Sequence, residues 1–478
     1  MSADVSNPIQ DLLQRRLMLV STISALTAKT HRLIQEHSGA EMEILRLELA
    51  LGRSPAEGEL LHALAKAEAD AEAIRSRQED CAAEIEVAEA AVSEVDRLIA
   101  ASKEKTVMNQ QSVPDLTLFD LLARNWQRPA AIRQICFNDD DTLLAVICAD
   151  GSLAFARMAD NEPPEARITV DRGQATISPR QGKAAPLIIT RVKGARSVSL
   201  HRDGGFLSAG ANGGLLRLSR AGEIAETLFS IDQPVQAFDY CAATHATAIV
   251  VGDRLHFHTG KDPSSAKANL PGMASEHVAF ATDGTRIAVA TEERLIVFRG
   301  GSELEPLVGI YLPAPPLSLK WSDDGNWLAV GLDGAGLCLL DANAGRNVVL
   351  GDFPAPVRSV TWSAQEKVLI AAGAYRIAGW SMKTPPFDDN ATGALATGRV
   401  GLVLVDAVAA QPEGRLVAAG RSNGQVVVAP IGSGEELVVR PAGGPVTALQ
   451  WTRDGRHLAM GDALGNVAIA TFPAQLFK

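Results

Sequence analysis

Aromatic residues are scarce in this chain of 478 residues, at 5% of the total, and cysteine is scarcer still. The five cysteines stand singly in apolar surroundings without a C-x-x-C pair, which argues against a disulfide framework and predicts reduced, buried thiols at Cys81, Cys136, Cys148, Cys241 and Cys338. No apolar run approaches the ~18 residues of a membrane helix, and no basic segment followed by an apolar run marks a secretory signal. We therefore expect a soluble, cytoplasmic protein without membrane insertion.

Positive charge is also in short supply, because 45 Lys and Arg residues face 56 Asp and Glu residues and leave a net charge of −11. The imbalance is concentrated in residues 1–110, which hold 12 basic and 19 acidic residues. Binding to a phosphate backbone requires a face rich in Lys and Arg. The composition therefore predicts other proteins, rather than nucleic acid, as partners.

Enzyme motifs are missing as well: no G-x-S-x-G, H-E-x-x-H or Walker-type run occurs. His256 and His258 alternate along a predicted strand, but no Cys or further His is placed to complete a metal site with them. Residues 138–141 lack the Gly and distal Glu of a calcium loop, so we interpret them as a hairpin turn. The glycine-rich residues 210–214 lie between two predicted strands, where they cannot place a phosphate on a helix N-terminus. We predict no catalytic residue, no metal and no cofactor.

What the N-terminal region does contain is a heptad pattern of apolar residues, which predicts a helix from Pro8 to about Gly52. Ser54-Pro55-Ala56-Glu57 has the form of a capping box with proline in the first turn, and it predicts a second helix directly afterwards. Two long helices joined by so short a turn must run antiparallel. Residues 1–104 are therefore predicted to form a helical hairpin, an antiparallel coiled coil.

The seam of this hairpin is predicted from the residues that keep the heptad register, namely Leu12, Leu19, Leu26, Leu33, Leu47, Leu64, Ile74, Ile85, Val92 and Ile99. One interpretation is a self-contained stalk. The other is association, since a two-helix seam is thin and leaves apolar surface that a further helix would bury. Homo-oligomerisation through residues 8–104 and docking onto another protein's helices both satisfy the second interpretation.

After a polar segment at 105–115, predicted to be a linker, the chain changes to short β-rich runs with internal similarity. A bulky residue closes the first strand of each copy in all but one case, giving the column Phe137, Leu200, Tyr240, Phe280, Trp321, Trp362, Ala410 and Trp451. The intervals are 63, 40, 40, 41, 41, 48 and 41 residues, near the length of a four-stranded propeller blade except where the first carries an insertion at 159–194.

Each copy follows the same order of features. A turn, often Asp-Gly, follows the first strand, as in a tight hairpin. The second strand is rich in small residues, which we expect to lie nearest the axis of a propeller. The third strand places an aliphatic residue in one column, at Leu153, Leu215, Leu255, Leu295, Leu337, Ile377, Val426 and Val467. Residues 116–122 (LTLFDLL) are predicted to supply the outer strand that closes the ring.

In period and strand order, residues 116–478 resemble the WD-repeat β-propeller family. The signature dipeptides are mostly replaced, and only Leu340-Asp341 and Trp380-Ser381 come close to the Trp-Asp pair. The resemblance implies an all-β propeller behind the α-helical hairpin. Eight copies favour eight blades, with seven, the commoner number in the family, as the alternative.

The same resemblance implies a docking surface where the first strands open, because partners of WD-repeat proteins bind near that rim. The residues that open the first strands are Arg133, Arg196, Gln236, Glu276, Leu317, Arg358, Asp406 and Thr447. The predicted partner-binding residues among them are Arg133, Arg196, Gln236, Glu276, Arg358 and Asp406. The alternative is that these are solvated charges without a partner. We predict a non-catalytic protein-interaction scaffold; the alternatives are a structural subunit of a large bacterial-type assembly and an enzyme with a site at the propeller axis.

Overall fold

The structure is a computed structural model that divides into two compact units, Met1–Asp115 and Leu116–Lys478, and each unit is described by itself. The residues that the structure describes are 8–53, 58–109, 116–171, 174–190, 192, 194–201, 203–210, 213–230, 233–259, 265–272, 274–387 and 394–474. None of the described helices is both long and apolar enough to cross a membrane.

The N-terminal unit consists of two long helices that pack against each other, α1 (Pro8–Arg53) and α2 (Gly58–Asn109), which confirms the predicted hairpin. The second helix continues five residues past the predicted boundary at 104, into the segment expected to be a linker. The remainder of that linker, 110–115, and the capping box at 54–57 lie outside the described residues.

The two helices meet along the heptad seam. Leu33 and Leu47 of α1 are buried, and Leu19, Leu26, Leu64, Ile74, Ile85 and Val92 are half-buried. The side chains of Leu12 and Ile99 lie outside the described residues. Small residues of α2 bring the helices close at Cys81, whose thiol lies 3.4 Å from the Thr30 hydroxyl. A seam with so few buried positions is consistent with a hairpin only two helices thick.

The C-terminal unit is an eight-bladed β-propeller, as the eight sequence copies favoured. It begins with a short helix, α3 (Leu118–Leu122), and the strand β1 (Ala123–Gln127). Blade 1 contains β2 (Ile132–Phe137), β3 (Leu143–Cys148) and β4 (Leu153–Arg157); a separate hairpin of β5 (Ile168–Asp171) and β6 (Gln174–Ile177) follows, and β7 (Ile188–Thr190) completes the blade.

The next four blades have four strands each. Blade 2 contains β8 (Ser197–Leu200), β9 (Phe206–Ala209), β10 (Gly214–Leu218) and β11 (Ile224–Ser230). Blade 3 contains β12 (Ala237–Cys241), β13 (Ala246–Val251), β14 (Arg254–Thr259) and β15 (Ser265–Asn269). Blade 4 contains β16 (Ala274–Phe280), β17 (Arg286–Thr291), β18 (Arg294–Arg299) and β19 (Glu305–Tyr311). Blade 5 contains β20 (Pro316–Trp321), β21 (Trp327–Leu332), β22 (Leu337–Asp341) and β23 (Asn347–Leu350).

Of the last three blades, blade 7 follows this plan, whereas blades 6 and 8 depart from it. Blade 6 is a three-stranded sheet of β24 (Val360–Ser363), β25 (Val368–Ala371) and β26 (Ala378–Ser381), extended by a single bridge from Ile377 to Thr397. Blade 7 contains β27 (Val405–Ala410), β28 (Leu416–Arg421), β29 (Val426–Pro430) and β30 (Leu437–Arg440). Blade 8 contains β31 (Val446–Trp451), β32 (His457–Asp462) and β33 (Asn466–Thr471), and its outer strand is β1.

The first strand of each blade lines the propeller axis, because the first strands of neighbouring blades contact one another. The expectation that the second strands lie nearest the axis was therefore wrong. Second strands lie between two strands of their own sheet and between two blades, so that Ala329, Ala418 and Ala459 are fully buried. Small residues suit that position because the sheets pack face to face there.

Ring closure uses a different segment from the one predicted. Strand β1 pairs antiparallel with β33, with Ala123 opposite Ala470 and Gln127 opposite Asn466. The predicted closing segment instead forms α3, because Thr117 and Asp120 build a reciprocal capping box at its N-terminus. The closing strand thus begins at Ala123, one residue beyond the predicted segment.

The insertion after β4 fastens this closure. Arg124 of β1 is only 3% exposed, and its guanidinium donates to the carbonyl oxygens of Arg157, Met158 and Ala159 at 3.0–3.1 Å. Asp160 lies 3.7 Å from the same guanidinium and accepts two hydrogen bonds from Arg180 at 2.7 and 2.9 Å.

A second set of contacts joins the insertion to the closing segment. The Trp126 indole donates to the Ala185 carbonyl at 2.7 Å, and Arg167 donates to the Leu121 carbonyl at 2.6 Å. Two residues of the closing segment and two of the insertion therefore meet through hydrogen bonds. The insertion forms a clamp over the joint between the two ends of the propeller chain.

We expect Arg124→Ala to lower the free energy of unfolding of the propeller by about 2–4 kcal/mol, because three carbonyl groups would lose a buried charged donor and Asp160 would lose a neighbouring cation. Urea unfolding followed by tryptophan fluorescence measures the change. The exposed Arg157 provides a matched control, and Arg157→Ala should change stability by less than about 0.5 kcal/mol. Equal effects of the two substitutions would show that the clamp contributes nothing.

Candidate protein-interaction surface

Tryptophan residues at the end of the first strands join neighbouring blades. The indole N–H groups of Trp321, Trp362 and Trp451 donate to the carbonyl oxygens of Ala279, Lys320 and Ala409 at 3.0–3.1 Å. Each acceptor lies on the first strand of the preceding blade, 42 residues earlier in the chain. Three members of the column that the sequence places in register therefore join neighbouring blades by hydrogen bonds, in addition to being buried.

Polar side chains of the first strands make similar bonds in the other direction. The Gln134 amide both donates to the Val198 carbonyl at 2.8 Å and accepts from the Val198 amide at 3.0 Å. The Ser359 hydroxyl pairs with the main chain of Val408 in the same two-way fashion. The main-chain groups of Val198 and Val408 lie on the inner edge of a blade, where no further strand is available to form hydrogen bonds with them.

Side chains that directly precede the bulky residue of the first strand accept hydrogen bonds from main-chain amides of the next blade. Asp239 accepts from the Phe280 amide at 2.8 Å, Thr361 from the Ala410 amide at 3.2 Å and Gln450 from the Phe137 amide at 3.2 Å. The inner strands are thus more polar than expected, yet these groups are bonded to the main chain. These hydrogen bonds join neighbouring blades.

Two of the axial groups are shifted in pKa by burial. Burial raises the pKa of Asp239 to about 6, against the opposing effect of the amide groups of Phe280 and Tyr240. Burial also raises the pKa of the Cys136 thiol to about 12, so this thiol stays protonated and unreactive at neutral pH. All five cysteines are buried and free, as predicted.

The two histidines of β14 are packed rather than poised to bind a metal. His256 and His258 both contact the Phe229 ring edge-on, with ring centroids 5.9 and 5.2 Å away. Burial lowers the pKa of both imidazoles, and the positive charge of Lys267 lowers it further. A neighbouring ammonium group disfavours a cation, and the described residues contain no group of three His, Cys, Asp or Glu that could hold a metal.

Residues 138–141 form a turn, as interpreted from the sequence. The Asn138 side chain accepts from the Leu143 amide at 2.8 Å and donates to the Gly204 carbonyl of the next blade at 2.9 Å. Asp140 accepts from the Thr142 hydroxyl, and this hydrogen bond lowers the pKa of the carboxyl. The polar groups are therefore engaged within the turn and between two blades.

We call the ring formed by the opening residues of the eight first strands the entry rim. Arg133 and Arg358 are exposed there, whereas Arg196, Gln236 and Asp406 are half-buried. The side chain of Glu276 lies outside the described residues. Burial raises the pKa of Asp406 while the charge of Arg358 opposes it, so these two residues of adjacent blades lie close enough to interact.

Sequence reasoning missed an apolar group at the same end of the propeller. Successive strands are antiparallel, so each turn between a second and a third strand lies at the end where the first strand begins. Tyr375 in this turn of blade 6 is 45% exposed, and Val400 and Leu402, which lead into blade 7, are 72% and 84% exposed. The only signal in the sequence was the irregular 48-residue interval that contains them.

Comparison with solved structures agrees with this geometry. The chain is similar to the C-terminal WD40 domain of Sif2, at 14% identity and a TM-score of 0.53, over 73% of this chain and 99% of that one. It is also similar to Sqt1 of Saccharomyces cerevisiae, at 13% identity and a TM-score of 0.57, over 75% of this chain and all of that one. The fold is that of a WD40 propeller. No protein-family model and no curated protein matches the sequence.

The two dipeptides that come close to the Trp-Asp pair of WD40 propellers have different contacts in this chain. The Leu340-Asp341 pair keeps a turn role, since the Asp341 carboxylate accepts from the amides of Asn343 and Ala344 at 3.1 and 3.0 Å. The indole of Trp380, in the other near-match, packs against Phe353 with ring centroids 5.9 Å apart.

We expect Trp362→Phe to destabilise the propeller by about 1–2 kcal/mol, because the Lys320 carbonyl would lose its donor while the aromatic volume is largely retained. Trp327→Phe is the matched control: Trp327 stacks on Phe387, with ring centroids 5.7 Å apart, instead of joining two blades through its indole N–H. Chemical unfolding of the two variants measures the difference. Equal destabilisation would contradict an interblade role for the indole.

The raised pKa of Asp239 predicts a pH dependence. The folded protein binds the proton more tightly than the unfolded chain, whose carboxyl has the ordinary pKa of 3.8. The stability that Asp239 contributes is thus fully present below about pH 4 and is lost as the pH rises through about 6. We expect Asp239→Asn to become more stable relative to the unsubstituted protein between pH 4 and pH 7, by on the order of 1–3 kcal/mol. A difference that stays constant over this range would contradict the prediction.

Proposed function

We propose that this protein is a non-catalytic protein-interaction scaffold. The propeller provides a docking surface at the entry rim, and the helical hairpin provides oligomerisation or a second partner. The observation that carries the proposal is the use of the axial polar groups. Gln134, Asp239 and Thr361 are bonded to the main chain of the neighbouring blade, whereas exposed charged and apolar side chains gather at the rim.

Surface composition supports a docking role for the rim. The third-strand column is buried, whereas the residues that open the first strands are mostly exposed or half-buried. Two of them, Arg133 and Arg358, are exposed. Arginine forms bidentate hydrogen bonds with carboxylate groups, so an acidic segment of a partner protein would complement Arg133, Arg196 and Arg358. Exposed charge at a rim also favours fast, specific association with a partner of opposite charge.

The hairpin supports an additional association surface. It is a seam two helices thick, and large apolar residues outside the seam remain exposed, including Met42, Leu45 and Leu49 of α1. Burial of such residues against further helices would be favourable. We propose the seam and this exposed surface, within residues 8–104, as the part that sets the oligomeric state or holds a second partner.

The buried, free thiols support a reducing compartment. Five unpaired cysteines in a folded chain are typical of the cytoplasm, where thiols are kept reduced. We propose that the protein acts there.

One truncation and one triple variant test the scaffold proposal. Affinity purification with the full chain and with a chain lacking residues 1–109 should recover overlapping sets of partners, and partners kept only by the full chain belong to the hairpin. Arg133→Ala/Arg196→Ala/Arg358→Ala should reduce recovery of the propeller's partners at least about tenfold, since charge-assisted hydrogen bonds would be lost.

Sedimentation of the same proteins separates the alternatives. Loss of an oligomer on removing residues 1–109 would assign self-association to the hairpin. A very large assembly containing fixed numbers of other subunits would favour a structural subunit. Unchanged partner recovery by the triple variant would remove the rim from the proposal.

A further inference from the structure

An exposed apolar group on blades 6 and 7 lies at the entry end of the propeller, and this inference rests on the proposed scaffold function. We call Tyr375, Val400 and Leu402 the apolar knuckle. Leu402 is 84% exposed and Val400 is 72% exposed, although both lie in a domain whose other aliphatic residues are mostly buried. A group of large apolar side chains with exposed fractions this high is typical of an interaction site.

The knuckle is held in place by main-chain hydrogen bonds. The Gly401 amide, between the two exposed residues, donates to the Tyr375 carbonyl at 3.1 Å, which brings the two segments together. Val405 donates to Ala374 at 2.9 Å, and Ser422 of blade 7 donates to Leu404 at 3.0 Å. The backbone that carries the exposed side chains is thus fixed by hydrogen bonds, so that less conformational entropy is lost when a partner binds.

The charges beside the knuckle are basic. Arg376 follows Tyr375 and Arg399 precedes Val400. Among the described residues neither guanidinium forms an ion pair, although the Arg399 main-chain amide donates to the Glu436 carboxylate at 3.0 Å. Arg421, whose Nη1 atom lies near Gly401, is already neutralised by Glu436 at 3.0 Å. The surplus charge at the knuckle is therefore positive, on a protein whose net charge is −11.

We propose that the apolar knuckle is a docking site for a short segment of a partner protein in which one or two large apolar side chains are flanked by Asp or Glu. The apolar side chains cover Val400, Leu402 and the Tyr375 ring. The carboxylate groups pair with Arg376 and Arg399, which accounts for the local reversal of charge. Among the described residues of blade 6, a single bridge at Thr397 takes the place of a regular fourth strand.

The test is selection of short random peptides displayed on phage against the full chain. Selected peptides should combine a large apolar residue with neighbouring Asp or Glu. Leu402→Ser should weaken binding of a selected peptide at least about tenfold in fluorescence polarisation. Leu402→Met, which keeps an apolar side chain, should bind within about threefold of the unsubstituted protein, and Arg376→Glu/Arg399→Glu should weaken binding and its dependence on salt.

Leu464 provides the matched control, since it is 63% exposed in the corresponding turn of blade 8. Leu464→Ser should leave peptide binding unchanged. Because Leu402 makes little contact with the core, Leu402→Ser should also leave the thermal midpoint unchanged, so a loss of binding cannot come from unfolding. Selected peptides without the acidic and apolar pattern, or with equal affinity for Leu402→Ser, would overturn the proposal.

Two further outcomes separate this proposal from the scaffold function. If Leu402→Ser converts an oligomer of the full chain into a smaller species, the knuckle is an interface between copies and the partner proposal is wrong. If partners of the full chain are recovered unchanged by Leu402→Ser but are lost with the three rim arginines, the scaffold function stands and the knuckle does not. Absence of partners for every form of the chain would instead contradict the scaffold function itself.

Discussion

The propeller depends on satisfying the inner edge of each first strand. A blade is a sheet whose first strand has a neighbour on one side only, and the other side faces the axis, where no strand can pair with it. In this chain, side chains of adjacent blades replace the missing strand. Gln134 and Ser359 each bond both the donor and the acceptor of one residue on the next blade, and the indole groups of three tryptophans bond carbonyl groups on the blade before.

This constraint explains why the first strands, which line the axis, carry polar residues. Asp239, Thr361 and Gln450 would be costly to bury if they were unbonded, and each is used by an amide group of the next blade. The charge of Asp239 is disfavoured by its surroundings, which is why its pKa is raised. The polar groups that an enzyme would direct at a substrate are here directed at the protein's own backbone.

The ring also has to be closed, and closure joins parts of the chain that are more than 300 residues apart. Pairing of β1 with β33 supplies the last outer strand. The insertion of blade 1 then covers the joint through Arg124 and Trp126, so a segment with no place in the repeat stabilises the repeat as a whole. At blade 6 the opposite occurs, since the outer strand is reduced and the chain that replaces it exposes Val400 and Leu402. Irregular segments thus account for both the closure and the most exposed apolar surface.

The sequence by itself determined the helical hairpin, the propeller repeat, the core columns and the burial of the cysteines, because periodicity and repeat length are local properties that do not depend on the partner strands. It favoured eight blades and left seven as the alternative. It could not identify the strand nearest the axis, since small residues suit either a crowded axis or a position between two blades. It misplaced the closing strand because LTLFDLL is apolar enough for a strand, whereas the Thr117–Asp120 capping box starts a helix there. The roles of Gln134, Arg124 and Leu402 were decided only by the tertiary structure, because each depends on a backbone group or a solvent boundary that residues distant in the sequence create.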